Sequence, residues 1–444
     1  MAKPLQSLKM PPKVRTSHPA VKEINDYAAA SLAAQRHYKA AMIAGKRAIR
    51  VDPYSKEIWS NIGTYYFNLR EYEEAEACLL RSLSIDPDYA TALCNLALVY
   101  GATRQWDKAD DHFAKAQSSD PEYLATTWDW SLSKLRRGDY ANGFKDYEVR
   151  LKFRPQAYPK WPAPYYNGEP LNGKSVFLIG EQGIGDTIMF SRFLPWLHAQ
   201  GVRIYLCVSQ QVTSLLWEYN DLVQFIPEGI PVPKTDYSMA MGSLPYWYGM
   251  LTPDDLPRDP GFIRRRVVDF MAKESADLPV PLAPDPFKIG IVWTGNPAMD
   301  RNEERSIPLT QLARLAEDPR AWLYSFQCGP GQPDIEKFGL NQLVCDLSPA
   351  LMSRGLVGTA AALMQMDLVV TCCTMTAHLA GALGIPCWLL LCYDSYWPWL
   401  LDREDSPWYP SLRLFRQTLP DNWTWVLNNV VKELDIHISQ KRGK

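Results

Sequence analysis

Gly180-Glu181-Gln182-Gly183-Ile184-Gly185-Asp186 joins the apolar run Ser175–Ile179 to the helix-like stretch Thr187–Gln200. The pattern reads as a strand, a glycine-rich turn and a helix with a carboxylate at its mouth. In an open α/β sheet, side chains and helix ends converge on a ligand at such a point. Three glycines let the backbone turn sharply and come close to a ligand. Asp186 can take a proton from a hydroxyl nucleophile. A competing reading makes Asp186 the N-cap of its helix, in which case its loss costs about 1 kcal/mol of stability and little rate.

The same alternation extends outward. Strands are expected at Arg203–Val208, Val223–Pro227 and Tyr237–Met241, with a helix at Val212–Tyr219. After a Pro-rich break at Leu278–Pro286, strands are expected at Lys288–Trp293, Ala321–Phe326, Asp367–Thr371 and Cys387–Leu391. Helices are expected at Leu309–Ala316, Thr359–Met364, Thr376–Leu383 and Trp423–Leu434. Alternation of this kind predicts mostly parallel sheets flanked by helices. Two Rossmann-like lobes are therefore expected, at residues 172–280 and 286–440.

The first third obeys a different period. Asp52-Pro53, Asp86-Pro87 and Asp120-Pro121 recur every 34 residues, the spacing of tetratricopeptide repeats. Small and large residues fall at matching helix positions: Gly63 and Ala75 with Trp59, Tyr66 and Leu79, then Ala97 and Ala109 with Leu93, Tyr100 and Phe113. A weaker copy covers Lys22–Ser55, and a degenerate one follows Pro121, so the repeat domain is set at residues 20–153. A linker rich in Pro and aromatics, Arg154–Leu171, separates it from the lobes. Such arrays bind peptides or mediate self-association, or they prop up a neighbouring domain. Asp86-Pro87-Asp88 has the form of a metal-binding D-x-D, but its place in a repeat turn makes it turn chemistry.

The 444 residues carry a net charge of −2, which excludes broad nucleic-acid binding. No apolar run reaches the ~18 residues of a membrane span. The N-terminus has no signal-peptide pattern. The nine cysteines lack a C-x-x-C pair, which argues against a metal site and for buried thiols in a reducing cytoplasm.

Two further loops carry chemistry. Thr371-Cys372-Cys373-Thr374-Met375-Thr376-Ala377-His378 runs from a strand end into a helix start. Exposed N–H groups there bind anionic oxygens, with Thr374 and Thr376 adding hydroxyls or capping the helix. His378 falls in the first turn, either structural or facing a ligand. Thr294-Gly295-Asn296-Pro297 follows another strand and leads to Arg301 and Arg305. An arginine there can neutralise phosphate, Arg301 being alternatively part of a solvated charged loop and Arg305 favoured because Ser306-Ile307-Pro308 and a helix follow it at once.

Together these blocks resemble the heptosyltransferase-like (family 9-like) glycosyltransferases, fused here to tetratricopeptide repeats. The resemblance spans Gly173–Gln417. It is carried by Gly180–Thr187, by Trp293–Pro297 with Arg305-Ser306-Ile307-Pro308-Leu309, by Thr374–Gly384 and by Leu400–Tyr409. It implies a GT-B fold, metal-independent inverting transfer, and a nucleotide-diphosphate sugar as substrate without a further cofactor. It also implies Asp186 as general base, with Gln182, Gly183 and Gly185 shaping the acceptor side. Thr294, Gly295, Asn296 and Arg305 would hold donor phosphates, and Cys373, Thr374, Thr376 and His378 would line the donor site. Cys373 stands where the family usually has an acidic residue. A thiol is a poor acceptor, so the donor sugar differs, another group replaces the contact, or activity is weakened. The acceptor is a protein presented by the repeats or a glycan such as lipopolysaccharide. The non-enzymatic alternative is a repeat scaffold with a degenerate transferase half.

Overall fold

The computed structural model describes residues 37–158, 160–181, 183–259, 261–273, 286–299 and 301–442. The chain divides into two compact units, 1–130 and 131–444.

In the first unit, helices α1 (Tyr38–Val51), α2 (Lys56–Asn68), α3 (Tyr72–Ile85), α4 (Ala90–Ala102) and α5 (Trp106–Ser119) form antiparallel pairs. The recurrent Asp-Pro has a physical cause. Asp52, Asp86 and Asp120 each accept the N–H two residues ahead, at 3.2, 3.1 and 3.1 Å. Each carboxylate thus closes an Asx turn just where the helix has ended. Ala75 and Ala109 are fully buried between crossing helices, and Leu79 and Phe113 fill the gaps beside them. Of the weaker copy expected at Lys22–Ser55, residues 22–36 lie outside the described residues, and α1 is its second helix, with Ala41 and Ala48 buried. Helix α6 (Leu124–Arg136) contains the division between the units. Ser131–Phe153, counted with the repeats in the sequence reading, groups with the second unit as the end of α6, α7 (Tyr140–Tyr147) and α8 (Arg150–Phe153).

The second unit holds two parallel sheets. Strands β1 (Ser175–Ile179), β2 (Arg203–Cys207), β3 (Val223–Ile226) and β4 (Tyr237–Ala240) run in the order β3-β2-β1-β4. The second sheet comprises β5 (Phe287–Val292), β6 (Ala321–Ser325), β7 (Val344–Asp346), β8 (Leu368–Cys372), β9 (Cys387–Leu391) and β10 (Leu412–Arg416). Its order is β10-β9-β8-β5-β6-β7. Read from β7, that is the doubly wound Rossmann order. The central strands β8 and β9 are buried continuously, as parallel strands covered on both faces must be. The C-terminal helix Trp423–Arg442 covers one face with Val426, Leu427, Val430, Leu434 and Ile438. The fold is a helical repeat region followed by two Rossmann-like lobes, the GT-B plan.

Several elements differ from expectation. The helix expected over Thr187–Gln200 is two: α9 (Ile184–Ser191) and α10 (Leu194–Ala199), with Pro195 in the first turn of the second. Strands β7 and β10 were not anticipated, nor was the helix Arg264–Lys273. The helix expected at Thr359–Met364 begins earlier, as Ser348–Leu363, and is broken at Gly355.

Asp86 also receives Lys56 Nζ at 2.5 Å, which lowers its pKa. Asp86→Asn should keep the turn and lose the ion pair, whereas Asp86→Ala loses both. Urea unfolding should rank wild type above Asn above Ala, with a total loss of about 1–2 kcal/mol.

Candidate functional site

Both sheets change winding direction between two neighbouring strands, β1 and β4 in the first and β5 and β8 in the second. Crevices outside the carboxyl ends of strands at such points are where open α/β sheets bind ligands. The glycine-rich loop leaves β1, the Thr294 loop leaves β5, and Cys373-Thr374 leaves β8. All three chemistry-bearing loops of the sequence therefore sit at switch points.

The first-lobe side is built on α9. Gly183 is its N-cap, and Asp186 lies two residues inside the helix rather than at its cap. The N-cap reading of Asp186 is thereby corrected: the helix starts three residues earlier than the apolar pattern suggested, with Gly183 as its N-cap. The Asp186 carboxylate accepts the Tyr396 hydroxyl at 2.7 Å and is also bonded by the Gly183 backbone. Burial pushes its pKa up to about 6, against the lowering by these two bonds, and Glu181 adds a smaller upward push. Burial also holds Tyr396 well above its usual value, so it stays a neutral donor. Gln182 lies outside the described residues. Gly183 is exposed. At Gly185 a Cβ would stand 2.8 Å from His378 Cδ2, so only glycine lets α9 pack this closely on the second lobe.

The second-lobe side is built on α18 (Met375–Ala382), which packs against α9. Thr374 is its N-cap but makes no side-chain capping bond; its hydroxyl meets Thr371 Oγ1 at 3.3 Å. The first N–H groups of this helix are thus not capped by that side chain. Thr376 is buried, 5% exposed. His378 is buried too, and bonds Tyr409 Oη through Nδ1 at 3.1 Å. Burial, aided by nearby Arg192, lowers its pKa to about 3, so it is a neutral packing group. Cys373 Sγ accepts from Trp399 Nε1 at 3.0 Å, and burial pushes the thiol up.

The Thr294 loop is internally tied. Thr294 Oγ1 bonds Ser306 Oγ at 2.7 Å and accepts from Asn302 Nδ2 at 3.1 Å. Gly295 N–H donates to Asn302 Oδ1 at 3.2 Å. Asn296 is exposed and accepts Ala298 N–H at 3.0 Å. These three shape the loop. Arg305 is different. It donates to Asn302 Oδ1 at 3.0 Å and to the Cys373 carbonyl at 3.1 Å, and no carboxylate among the described residues pairs with it. Arg301, by contrast, is neutralised by Glu304 and Asp394.

Cys373 joins the two sides: its thiol senses the charge of both Asp186 and Arg305. At the α18 start Arg305 meets the Cys373 carbonyl, and Gly185, next to Asp186, lies against His378. Sequence reasoning missed Tyr396, Trp399, Asn302 and Gln327. Gln327 Oε1 accepts the Trp293 and Thr294 N–H groups at 3.2 and 3.0 Å. The aromatic cluster Tyr396-Trp397-Pro398-Trp399 just after β9 was the available signal for the first two.

The tetratricopeptide-repeat family matches residues 55–122. Protein FlbA of Caulobacter vibrioides is 26% identical over 306 residues, covering 63% of this chain and 50% of FlbA. The chain thus spans about half the length of that curated relative. Among solved structures, the E. coli ADP-heptose lps heptosyltransferase II is 16% identical over 60% of this chain and 99% of its own, with a TM-score of 0.40. An O-GlcNAc transferase mutant of Thermobaculum terrenum is 12% identical over 87% of this chain and 84% of its own, with a TM-score of 0.30. No helix among the described residues is long and apolar enough to cross a membrane.

A carboxyl whose folded pKa lies above its unfolded value stabilises the fold below the unfolded value, and loses that contribution as pH rises through the folded one. For Asp186 this window runs from about 4 to about 6. Asp186→Asn should therefore be more stable than wild type at pH 7.5, with the gain vanishing near pH 4. Urea unfolding at the two pH values measures it.

Proposed function

We propose that the chain is a metal-independent, inverting glycosyltransferase that moves a sugar from a nucleotide-diphosphate donor to a hydroxyl acceptor. The observations that carry this reading are a buried carboxyl, Asp186, held by the Tyr396 hydroxyl at 2.7 Å with its pKa pushed up to about 6, and Arg305, bonded to the Cys373 carbonyl and without a carboxylate partner among the described residues. Asp186 takes the proton of the acceptor hydroxyl as its oxygen bonds to the anomeric carbon. The carbon–oxygen bond to the diphosphate breaks on the opposite face, inverting the centre. Charge growing on the leaving diphosphate meets Arg305 and the N–H groups at the start of α18. A pKa near neutrality suits a general base at cytoplasmic pH.

Cys373 bears on donor choice. As a neutral thiol occupied by Trp399 Nε1, it offers the donor sugar no charged acceptor. A donor recognised without a carboxylate at this position fits best. The repeats supply the acceptor function: a helical array of this kind presents a peptide surface, so a protein acceptor is favoured over a glycan. A thermal-shift panel of nucleoside diphosphates would identify the donor base, since a bound ligand raises the unfolding temperature.

Asp186→Ala should lower kcat by ~10²–10⁴-fold with the fold retained. Because the base must be ionised, kcat/KM should fall tenfold per pH unit below about 6. The Tyr396 bond lowers the Asp186 pKa, so Tyr396→Phe should move this acid limb to higher pH. Equal activity of wild type and Asp186→Asn, on any donor that binds, would refute the reading. Arg305→Lys loses the forked donor geometry and should raise donor KM about tenfold without moving the acid limb.

A further inference from the structure

Arg150, in α8, is 1% exposed. Its Nε donates to both oxygens of Glu181 at 3.1 and 3.3 Å, and its Nη2 to Glu181 Oε1 at 2.8 Å. Nη2 also reaches Ser243 Oγ at 2.8 Å. Nη1 donates to Glu148 Oε1 at 2.6 Å and to the Tyr147 carbonyl at 3.2 Å. Its planar head lies over the Tyr147 ring, 4.7 Å from the centroid. Every face of the fork is used. Glu181, in turn, stands in the glycine-rich loop five residues before Asp186, and is itself 8% exposed. At Gly242, across the network, a Cβ would stand 1.9 Å from Glu181 Oε1, so the backbone there is shaped around this carboxylate.

The preceding helix grips the other side of the site. Tyr140, Phe144 and Tyr147 of α7 surround Trp397 at ring separations of 6.1, 5.5 and 6.4 Å. Trp397 follows Tyr396, the donor to Asp186. Trp408 Nε1 donates to Tyr140 Oη at 2.8 Å. One short helix pair thus holds both partners of the bond between Asp186 and Tyr396, one through a buried ion pair and the other through packed rings.

We propose that α7–α8 is an integral wall of the transfer site, and that Arg150 is a positioning residue which acts on Asp186 through Glu181. The proposal rests on the reading of Asp186 as the base. A buried ion pair adds little net stability over well-packed apolar groups. What a forked guanidinium does give is a fixed orientation. Here the oriented group is a carboxylate whose negative charge opposes ionisation of Asp186. The groups facing Asp186 are Glu181 on its own loop and Tyr396, Tyr409 and Cys373 of the second lobe. Those facing Glu181 are Arg150 and Tyr158. Of the groups facing Asp186, Glu181 is the one that Arg150 bonds directly.

The test uses the full chain and three variants. Arg150→Gln combined with Glu181→Gln removes both charges of the fully buried pair, and the half-buried Glu148 keeps its bond from Ser243, so the variant should fold; thermal unfolding checks this. Carbon-13 NMR of labelled aspartate, assigned with Asp186→Asn, reads the Asp186 titration without reference to activity. In the double variant the Asp186 midpoint should fall by about half a unit or more. Its kcat should drop at least about tenfold with donor KM within about twofold. Arg150→Lys keeps the charge and loses the fork; it should lower kcat while the midpoint stays in place. It also decides the matter should the double variant not fold. An unchanged midpoint together with unchanged kcat in a folded double variant overturns the proposal, as does wild-type kcat in Arg150→Lys. Wild-type turnover of Asp186→Asn would instead sink the base reading, while the titration would still report whether Arg150 and Glu181 act on Asp186.

Discussion

The hydrogen bond from Tyr396 to Asp186 is the contact on which the site depends. It is 2.7 Å long and joins a residue after β9 to one in the first turn of α9, so it exists only when the two lobes are held face to face. It also offsets part of the burial that would otherwise keep the carboxyl protonated. Burial raises the proton affinity of the acid, and a single donor hydroxyl restrains the rise. The balance leaves a group able to gain and lose a proton near neutral pH.

Close approach of the lobes comes from small residues and buried rings. Gly185 lets α9 lie on His378, and His378 is fixed from behind by Tyr409 and by the Trp399 ring at 4.9 Å. Arg192 adds a buried guanidinium among Phe262, Trp408 and Tyr409, each ring centroid within 5.1 Å. A cation stacked on aromatic faces contributes without needing a carboxylate. The loop after β9 is fixed in the same way, since Arg416 donates to the carbonyls of Trp399 and Leu400 at 3.1 and 2.9 Å. The neutral state of His378 follows from this packing, and it removes histidine from the proton chemistry.

Much of the site was legible because its chemistry is local. The glycine loop, the Thr374 helix start and Arg305 each follow a strand, and strand-turn-helix is readable from hydrophobic period and glycine placement. The parts that were not legible depend on partners far away in sequence. The resemblance implies Thr294 as a phosphate ligand; in the fold its hydroxyl is engaged by Ser306 and Asn302. Of Arg301 and Arg305, the sequence favours the second, which Ser306-Ile307-Pro308 and a helix follow at once. Asp394, 93 residues on, neutralises the first and leaves the second. Strand β7 is three residues long and gives no measurable period.

By itself, the sequence determined the repeat array and singled out the Asp186 carboxyl in its glycine-rich loop. The 34-residue recurrence of Asp-Pro is a local turn repeated, with each carboxylate closing on its own backbone, and needs no distant partner. Tertiary structure alone decided how that acid ionises and what surrounds it. Burial, the Tyr396 hydroxyl 210 residues away and Glu181 held by Arg150 act through space. Proton affinity is a sum over neighbours in three dimensions, and one-dimensional spacing does not contain it.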